Sequence, residues 1–247
     1  LEGYVIDKEK IELPEPRGEI KIEKLIYKLQ NSGEILIKGI SFDINAGEVI
    51  GIIGPTGSGK TTLARLLVGV LKPSSGIIRY DGANIFDQDL EKIGKYIGYL
   101  PQDVELFHGT VKENIARMKK DEIDEKIINS AKFCDMHEII LSLPNGYETI
   151  IEKEGGNLSA GQRQRIALVR AYFDEAKFVV LDEPNSNLDT DGEVALNNTI
   201  KRAKDKKITT VIITHRTSVA SICDKILVLQ NGEIKSFKTP KELGVKA

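Results

Sequence analysis

From Ile20 onward, apolar side chains recur at short, nearly alternating intervals: Ile22, Leu25, Tyr27 and Leu29, then Ile37, Ile40, Phe42 and Ile44, with Gly33 and Gly47 as turn points. That spacing predicts an antiparallel β region, because successive strand side chains face opposite ways. The run from Glu48 to Gly54 is almost continuously apolar and reads as a buried strand. After a Gly-rich loop, Leu63, Leu66, Leu67, Val70 and Leu71 fall at helical spacing until Lys72-Pro73 stops them. The expected order is therefore strand, loop, helix. Gly76 to Tyr80, an Asp81-Gly82 turn, and Tyr96 to Leu100 follow as further strands.

From Thr110 to about Tyr172 the period turns helical. Thr110 and Glu113 have the form of a capping box, and Ile123, Ile127, Ile128 and Ala131 follow at helical spacing. This predicts an inserted helical lobe, about residues 104–172. Strands return at Phe178 to Asp182, Ile208 to Thr214 and Lys225 to Leu229, separated by helical stretches, which implies a largely parallel sheet. A last short helix is expected at Thr239-Pro240, with Glu242 closing a box. Residues 1–18 are charged, carry Pro14 and Pro16, and lack a sustained period, so they read as a linker into a folded unit spanning 19–247. The chain opens on Leu1 rather than Met, which suggests a domain cut from something longer.

A chain of 247 residues suits one large α/β domain or a core with a smaller appended lobe, and 40% hydrophobic with 29% charged residues is ordinary for a soluble globular protein. No stretch approaches the ~18 apolar residues of a membrane span. The net charge of -2, with both signs interspersed, gives no basic patch that marks nucleic acid as a partner, and none is expected. Cys134 and Cys223 lie far apart and outside any paired spacing, which argues against a zinc site or a disulfide framework.

Three runs carry chemistry. Gly54-Pro-Thr-Gly-Ser-Gly-Lys60-Thr61 matches the phosphate-loop pattern in full and stands between an expected strand and an expected helix. Its glycines let backbone N–H groups close around phosphates at a positive helix end, Lys60 reaches the terminal phosphates, and Thr61 can ligate Mg²⁺. Gly54, Pro55, Thr56, Gly57, Ser58, Gly59, Lys60, Thr61 and Thr62 are the expected nucleotide-binding set. Phe178 to Glu183 is an apolar strand ending in two carboxylates, which suits Asp182 to hold Mg²⁺ and Glu183 to act as base on a water in line with a γ-phosphate. Leu158-Ser-Ala-Gly-Gln162 opens a helix, and Ser159 with Gln162 has capping-box form, leaving N–H groups and a hydroxyl facing forward. Alone, that pentapeptide reads as a helix cap.

Together, in this order and spacing, the three runs resemble the ABC ATPases over nearly the whole chain. The resemblance implies an α/β fold: a P-loop NTPase, RecA-like core with a mainly parallel sheet, plus the antiparallel β lobe and the helical lobe. It also implies Mg-ATP as the nucleotide, hydrolysed between two copies docked head to tail, with Ser159, Gly161 and Gln162 serving the partner's nucleotide. Gln102 then resembles the glutamine that contacts Mg²⁺ beside Thr61 and Asp182, Asp189 the aspartate linking the two sites, and His215 the γ-phosphate switch histidine. Two positions depart from the family pattern. Ala160 stands where glycine is usual, and the place of the adenine-stacking aromatic falls on Leu29, with Tyr27 two residues earlier as the competing candidate.

Finer wording points to a subfamily. Leu100-Pro-Gln-Asp-Val-Glu-Leu-Phe107 is similar to exporters, and Asp182-Glu-Pro-Asn-Ser-Asn-Leu-Asp189 is similar to the ATPases of type I protein-secretion exporters. In such exporters a transmembrane domain precedes this one in the same chain, which implies work at the cytoplasmic face of the inner membrane by a fragment that is itself soluble. A soluble ABC ATPase acting on nucleic acid or ribosomes, and an importer ATPase on a separate chain, remain alternatives at this stage.

Overall fold

The computed structural model describes residues 16–119, 121–152, 155–174 and 176–244. Of the expected linker, only its last three residues fall among these. The amides of Arg17, Gly18 and Glu19 donate to the Asp81 carboxylate and bring the chain onto the first strand.

In chain order, β1 (Ile20–Lys28) and β2 (Ile35–Ile44) pair antiparallel, and β3 (Val49–Ile53) leads through the Gly-rich loop to α1 (Lys60–Leu67). Then come β4 (Ser75–Tyr80), β5 (Ala83–Asn84), α2 (Leu90–Gly94) and β6 (Ile97–Leu100). The helical segment holds β7 (Gly109–Thr110), α3 (Val111–Ile115), α4 (Asp124–Phe133), α5 (His137–Leu141), β8 (Ile150–Ile151) and α6 (Ala160–Ala171). The chain closes with β9 (Phe178–Asp182), α7 (Thr190–Asp205), β10 (Thr209–Ile213), α8 (Thr217–Ala220), β11 (Lys225–Gln230) and β12 (Glu233–Lys238).

Two main sheets result, one ordered β2-β1-β4-β5 and antiparallel, the other β12-β11-β3-β10-β9-β6 and parallel except at its β12 edge. The fold is mixed α/β with a mainly parallel sheet, as the strand–helix alternation implies. Every residue of β9 and β10 is buried, because helices or the second sheet cover both faces. The side chains of β9 therefore divide between two cores. Val179 and Leu181 enter the one lined by α6 and α7, while Phe178 and Val180 enter the one shared with α1 and the antiparallel sheet. Continuing the two-residue period, Asp182 falls on the α1 side. Strand alternation alone thus aims this carboxylate at the Gly-rich loop.

Where α6 ends, its last carbonyl presses against β6. A Cβ on Gly98 would come within 1.9 Å of the Ala171 carbonyl oxygen, so only glycine lets the helix sit this close. Arg117 reinforces the junction. Its guanidinium donates to the carbonyls of Gly94, Ile97, Arg170 and Ala171, tying the helical segment to the strand end, and burial pulls its pKa down to about 10. The Thr110 box forms in full, and Ile127 and Ala131 are buried, but Ile123 sits at the helix cap and is 60% exposed. The buried stripe starts one turn later than the spacing suggested.

Other boundaries also differ from expectation. α1 stops at Leu67 because Gly69 adopts a left-handed φ of 78°, and Val70 is left 63% exposed instead of extending the apolar stripe. At Thr239 both box hydrogen bonds form, yet the described residues 239–244 make a turn and no helix. β12 was not anticipated, although Asn231-Gly232 is a hairpin turn signal. In β1, Ile22 and Leu25 are both buried although three residues apart, because a register shift there, with Lys24 at φ 47°, absorbs one residue. Cys134 and Cys223 are free and buried. Among the described residues no helix is long and apolar enough to cross a membrane.

Candidate functional site

The ends of four neighbouring parallel strands, β3, β10, β9 and β6, lead into Lys60, Thr61, Gln102, Asp182, Glu183 and His215 of the residues singled out from the sequence. This is the carboxyl edge of the sheet, where open α/β folds bind ligands. At β3 the chain turns at Gly54, where a Cβ would lie 2.0 Å from the Leu229 carbonyl oxygen. α1 then opens on Gly59 in a left-handed conformation with no side-chain cap, so the first N–H groups of the helix remain available to an anion. Thr61 and Thr62 lie in its first turn.

Lys60 is only 7% exposed and curls back over the loop, its Nζ donating to the carbonyls of Gly54 and Pro55 at 2.9 Å each. Burial lowers its pKa, opposed by the charges of Glu183 and Asp182. Ser58 Oγ is buried and has no hydrogen-bond partner among the described residues. Asp182 is fully buried at the end of β9, and neither carboxylate oxygen completes a hydrogen bond. Its pKa is raised, first by burial and then by Glu183, while the nearby Thr61 hydroxyl, Arg65 and Lys60 pull it back. An ionised carboxylate buried in this way is costly, and a cation beside it removes the cost. Thr61 and Asp182 are hard oxygen donors, so the site fits a Mg²⁺ ion.

Glu183 follows in a left-handed conformation, φ 50°, its amide donating to the Ile213 carbonyl on β10 at 3.0 Å. Its carboxylate meets two of the other expected residues. His215 Nε2 lies 3.2 Å from one oxygen, and Gln102 Nε2 donates to the other at 3.4 Å. Gln102, Glu183 and His215 follow β6, β9 and β10 respectively, so residues far apart in sequence converge because those strands are neighbours. A cleft of about 280 Å³ beside them is lined by Glu183, Asn185, Ser186, His215 and Arg216. The wider groove, about 720 Å³, lies over the β1 bulge among Lys21, Lys24 and Asp43 and holds none of these groups.

Ser159 caps α6 with both bonds of its box made: its Oγ accepts from the Gln162 amide at 3.1 Å, and its own amide donates to Gln162 Oε1 at 2.9 Å. Ser159 and Ala160 are both exposed. Gly161 packs closely, its would-be Cβ 3.0 Å from the Asn187 carbonyl oxygen. Asp189 caps α7 through the Gly192 amide and pairs with Arg165 of α6; the two together hold its pKa low. Among the described residues, no hydrogen bond or ion pair joins Ser159 to the Gly-rich loop of its own chain.

β1 ends at Lys28, so the strand face expected to carry Leu25, Tyr27 and Leu29 stops at Tyr27. Tyr27 packs against the core beside α1, whereas Leu29 lies past the strand and is 37% exposed. Gln164 was missed. It lies on the buried face of α6, in step with Ala167, Leu168 and Ala171, and a polar residue within such an apolar stripe was the available signal.

A family model described as ABC transporter matches residues 37–186. The type I secretion system ATP-binding protein PrsD of Rhizobium meliloti is 41% identical over 94% of this chain and 40% of its own length. Heavy metal tolerance factor 1 of Caenorhabditis elegans is 38% identical over 93% of this chain and 28% of its own. The ATP-dependent lipid A-core flippase of Chromobacterium violaceum is 37% identical over 90% and 38%. Among solved structures, a bacterial Atm1-family ABC exporter with ATP bound superposes with a TM-score of 0.85 at 30% identity, covering 94% of this chain and 40% of that one. The chain thus spans less than half the length of these relatives.

Proposed function

This chain belongs to the ABC transporter family, and from that premise we propose that it hydrolyses Mg-ATP at an interface between two copies and so powers export. The observation that carries the reading is the convergence of Lys60, Asp182, Glu183, Gln102 and His215 at adjacent strand ends, beside an uncapped helix N-terminus. The loop N–H groups between Thr56 and Thr62 seat the triphosphate. Lys60 exchanges its two carbonyl partners for phosphate oxygens. Thr61, Asp182 and Gln102 are the residues that would hold Mg²⁺, which when bound neutralises charge on the phosphates. Glu183 accepts the proton of the attacking water, and His215 at 3.2 Å fixes the orientation of that carboxylate. Catalysis here is positioning and charge stabilisation.

The second copy enters because the exposed α6 N-terminus at Ser159 has no phosphate to meet in its own chain. Docked head to tail, each Ser159, with Gly161 and Gln162, faces the other chain's nucleotide, and Asp189 lies where the two sites communicate. A two-chain site makes hydrolysis depend on association. The purified domain should therefore show a specific ATPase activity that climbs with protein concentration until dimers saturate. A monomer whose specific activity is independent of concentration would contradict the reading.

The exporter assignment is supported by relatives named as a secretion ATP-binding protein and a lipid flippase, and by their much greater length. A transmembrane domain in the same full-length protein is the proposed partner, with this domain at the cytoplasmic face of the inner membrane. Among exporters, type I protein secretion is favoured by the 41% relative and by the run from Asp182 to Asp189.

Leu29 is proposed as the adenine contact, since Tyr27 is engaged with the core. An aliphatic contact lacks the stacking that is worth about 1–3 kcal/mol per base, so ATP should bind roughly ten-fold more weakly than with an aromatic there. GTP affinity should then lie within about ten-fold of ATP, and Leu29→Tyr should tighten ATP binding in titration calorimetry. If Tyr27→Leu weakens binding by that factor without lowering the melting temperature, while Leu29→Tyr changes nothing, Tyr27 is the contact instead.

A further inference from the structure

We propose that Gln164 is a positioning residue for Glu183, tying the base of a chain's own ATP site to the helix that serves its partner's site. The inference rests on the reading of Glu183 as base and of Ser159 as a contact to the partner's nucleotide. Gln164 is 1% exposed, on α6 five residues after Ser159. Its amide does not turn back to its own helix. Nε2 donates to the Glu183 carbonyl at 3.1 Å, and Oε1 accepts from the Asn187 amide at 3.1 Å, with the Ser186 hydroxyl bridging at 3.3 Å. One side chain thus brackets the whole turn from Glu183 to Asn187.

That turn needs bracing. A non-glycine residue in a left-handed conformation is unfavourable and persists only when its surroundings over-determine it. The Glu183 peptide groups make three such bonds: its amide to Ile213, and its carbonyl from the Ser186 amide at 3.2 Å and from Gln164. Only the Gln164 bond comes from the helix opened by Ser159. A displacement of that helix end when a partner's phosphate docks is therefore transmitted to the backbone of Glu183, with no contact between Gln164 and nucleotide. Gly161 against the Asn187 carbonyl leaves the joint little slack.

Gln164→Met keeps the length and loses both hydrogen bonds, whereas Gln164→Glu keeps an acceptor for the Asn187 amide and loses the donor to Glu183. Both should lower kcat about 10- to 100-fold, the scale of a small misplacement of a catalytic group, with KM for ATP nearly unchanged. Both should also accumulate an ATP-bound dimer in light scattering, the outcome expected of Glu183→Gln, because chemistry slows while closure persists. A merely structural Gln164 predicts otherwise: ATP binding and dimer fall together with turnover. Unchanged kcat in Gln164→Met, or a fall in kcat without trapped dimer, overturns the proposal. If Gln164→Met does not fold, Gln164→Glu is read by the same criteria, and wild-type turnover in it is equally fatal. Should Glu183→Gln itself fail to trap a dimer, the assignment of the base is at fault and not the brace.

Discussion

Replacing Glu183 by glutamine should leave ATP binding intact, cut turnover by about 10²–10⁴-fold, the usual contribution of a positioned general base, and accumulate an ATP-bound dimer. The substitution keeps the size of the side chain and still offers a hydrogen bond to His215, now 3.2 Å from Glu183 Oε1, so the cleft is not remodelled. It removes the proton acceptor together with the negative charge that acts on Lys60 and Asp182. The dimer then stays closed because hydrolysis no longer discharges it. Phosphate release and light scattering on the same sample read both effects. Near-normal turnover with no dimer would remove Glu183 from the role of base.

Lys60→Ala should act earlier, on binding. Its ammonium is buried at the loop, where the charges of Glu183 and Asp182 act on it. Charge-assisted hydrogen bonds of this kind contribute about 1.5–3 kcal/mol, so ATP affinity should fall about 10- to 100-fold, with turnover lost as well. The Gly54 and Pro55 carbonyls lose their donor, but Gly54 is only half-buried and Pro55 is exposed, so water can take its place. The melting temperature without nucleotide should consequently change little. A variant that binds ATP normally by calorimetry would show that the phosphates sit elsewhere.

The Gly-rich loop and the Asp182-Glu183 pair were legible because their chemistry demands fixed residue types at fixed spacing, and because an unbroken apolar run ends in the two carboxylates. The antiparallel strands were legible from their near-alternation and the buried parallel ones from their continuous apolar runs. Less legible was whatever depends on one backbone conformation or on distant neighbours. Gly69 ends α1 within an unbroken apolar spacing, and the β1 bulge hides one residue between Ile22 and Leu25. The meeting of Gln102 and His215 on Glu183 follows from the strand order β10-β9-β6, which no local pattern encodes. Their roles came from family resemblance, and the geometry supplies a physical reason for them. Gln164 belongs to neither source: no motif marked it, and its partners are visible only once α6 lies against the turn after β9.

Mixing two inactive variants shows whether each ATP site is built from two chains. Lys60→Ala disables the phosphate loop, and Ser159→Arg blocks the helix end that serves the partner. In a mixed dimer one site combines both defects, while the other joins an intact loop to an intact Ser159. Partial ATPase activity should therefore return on mixing, although each variant alone has none. If proven mixed dimers remain as inactive as either parent, the sites are not shared between chains.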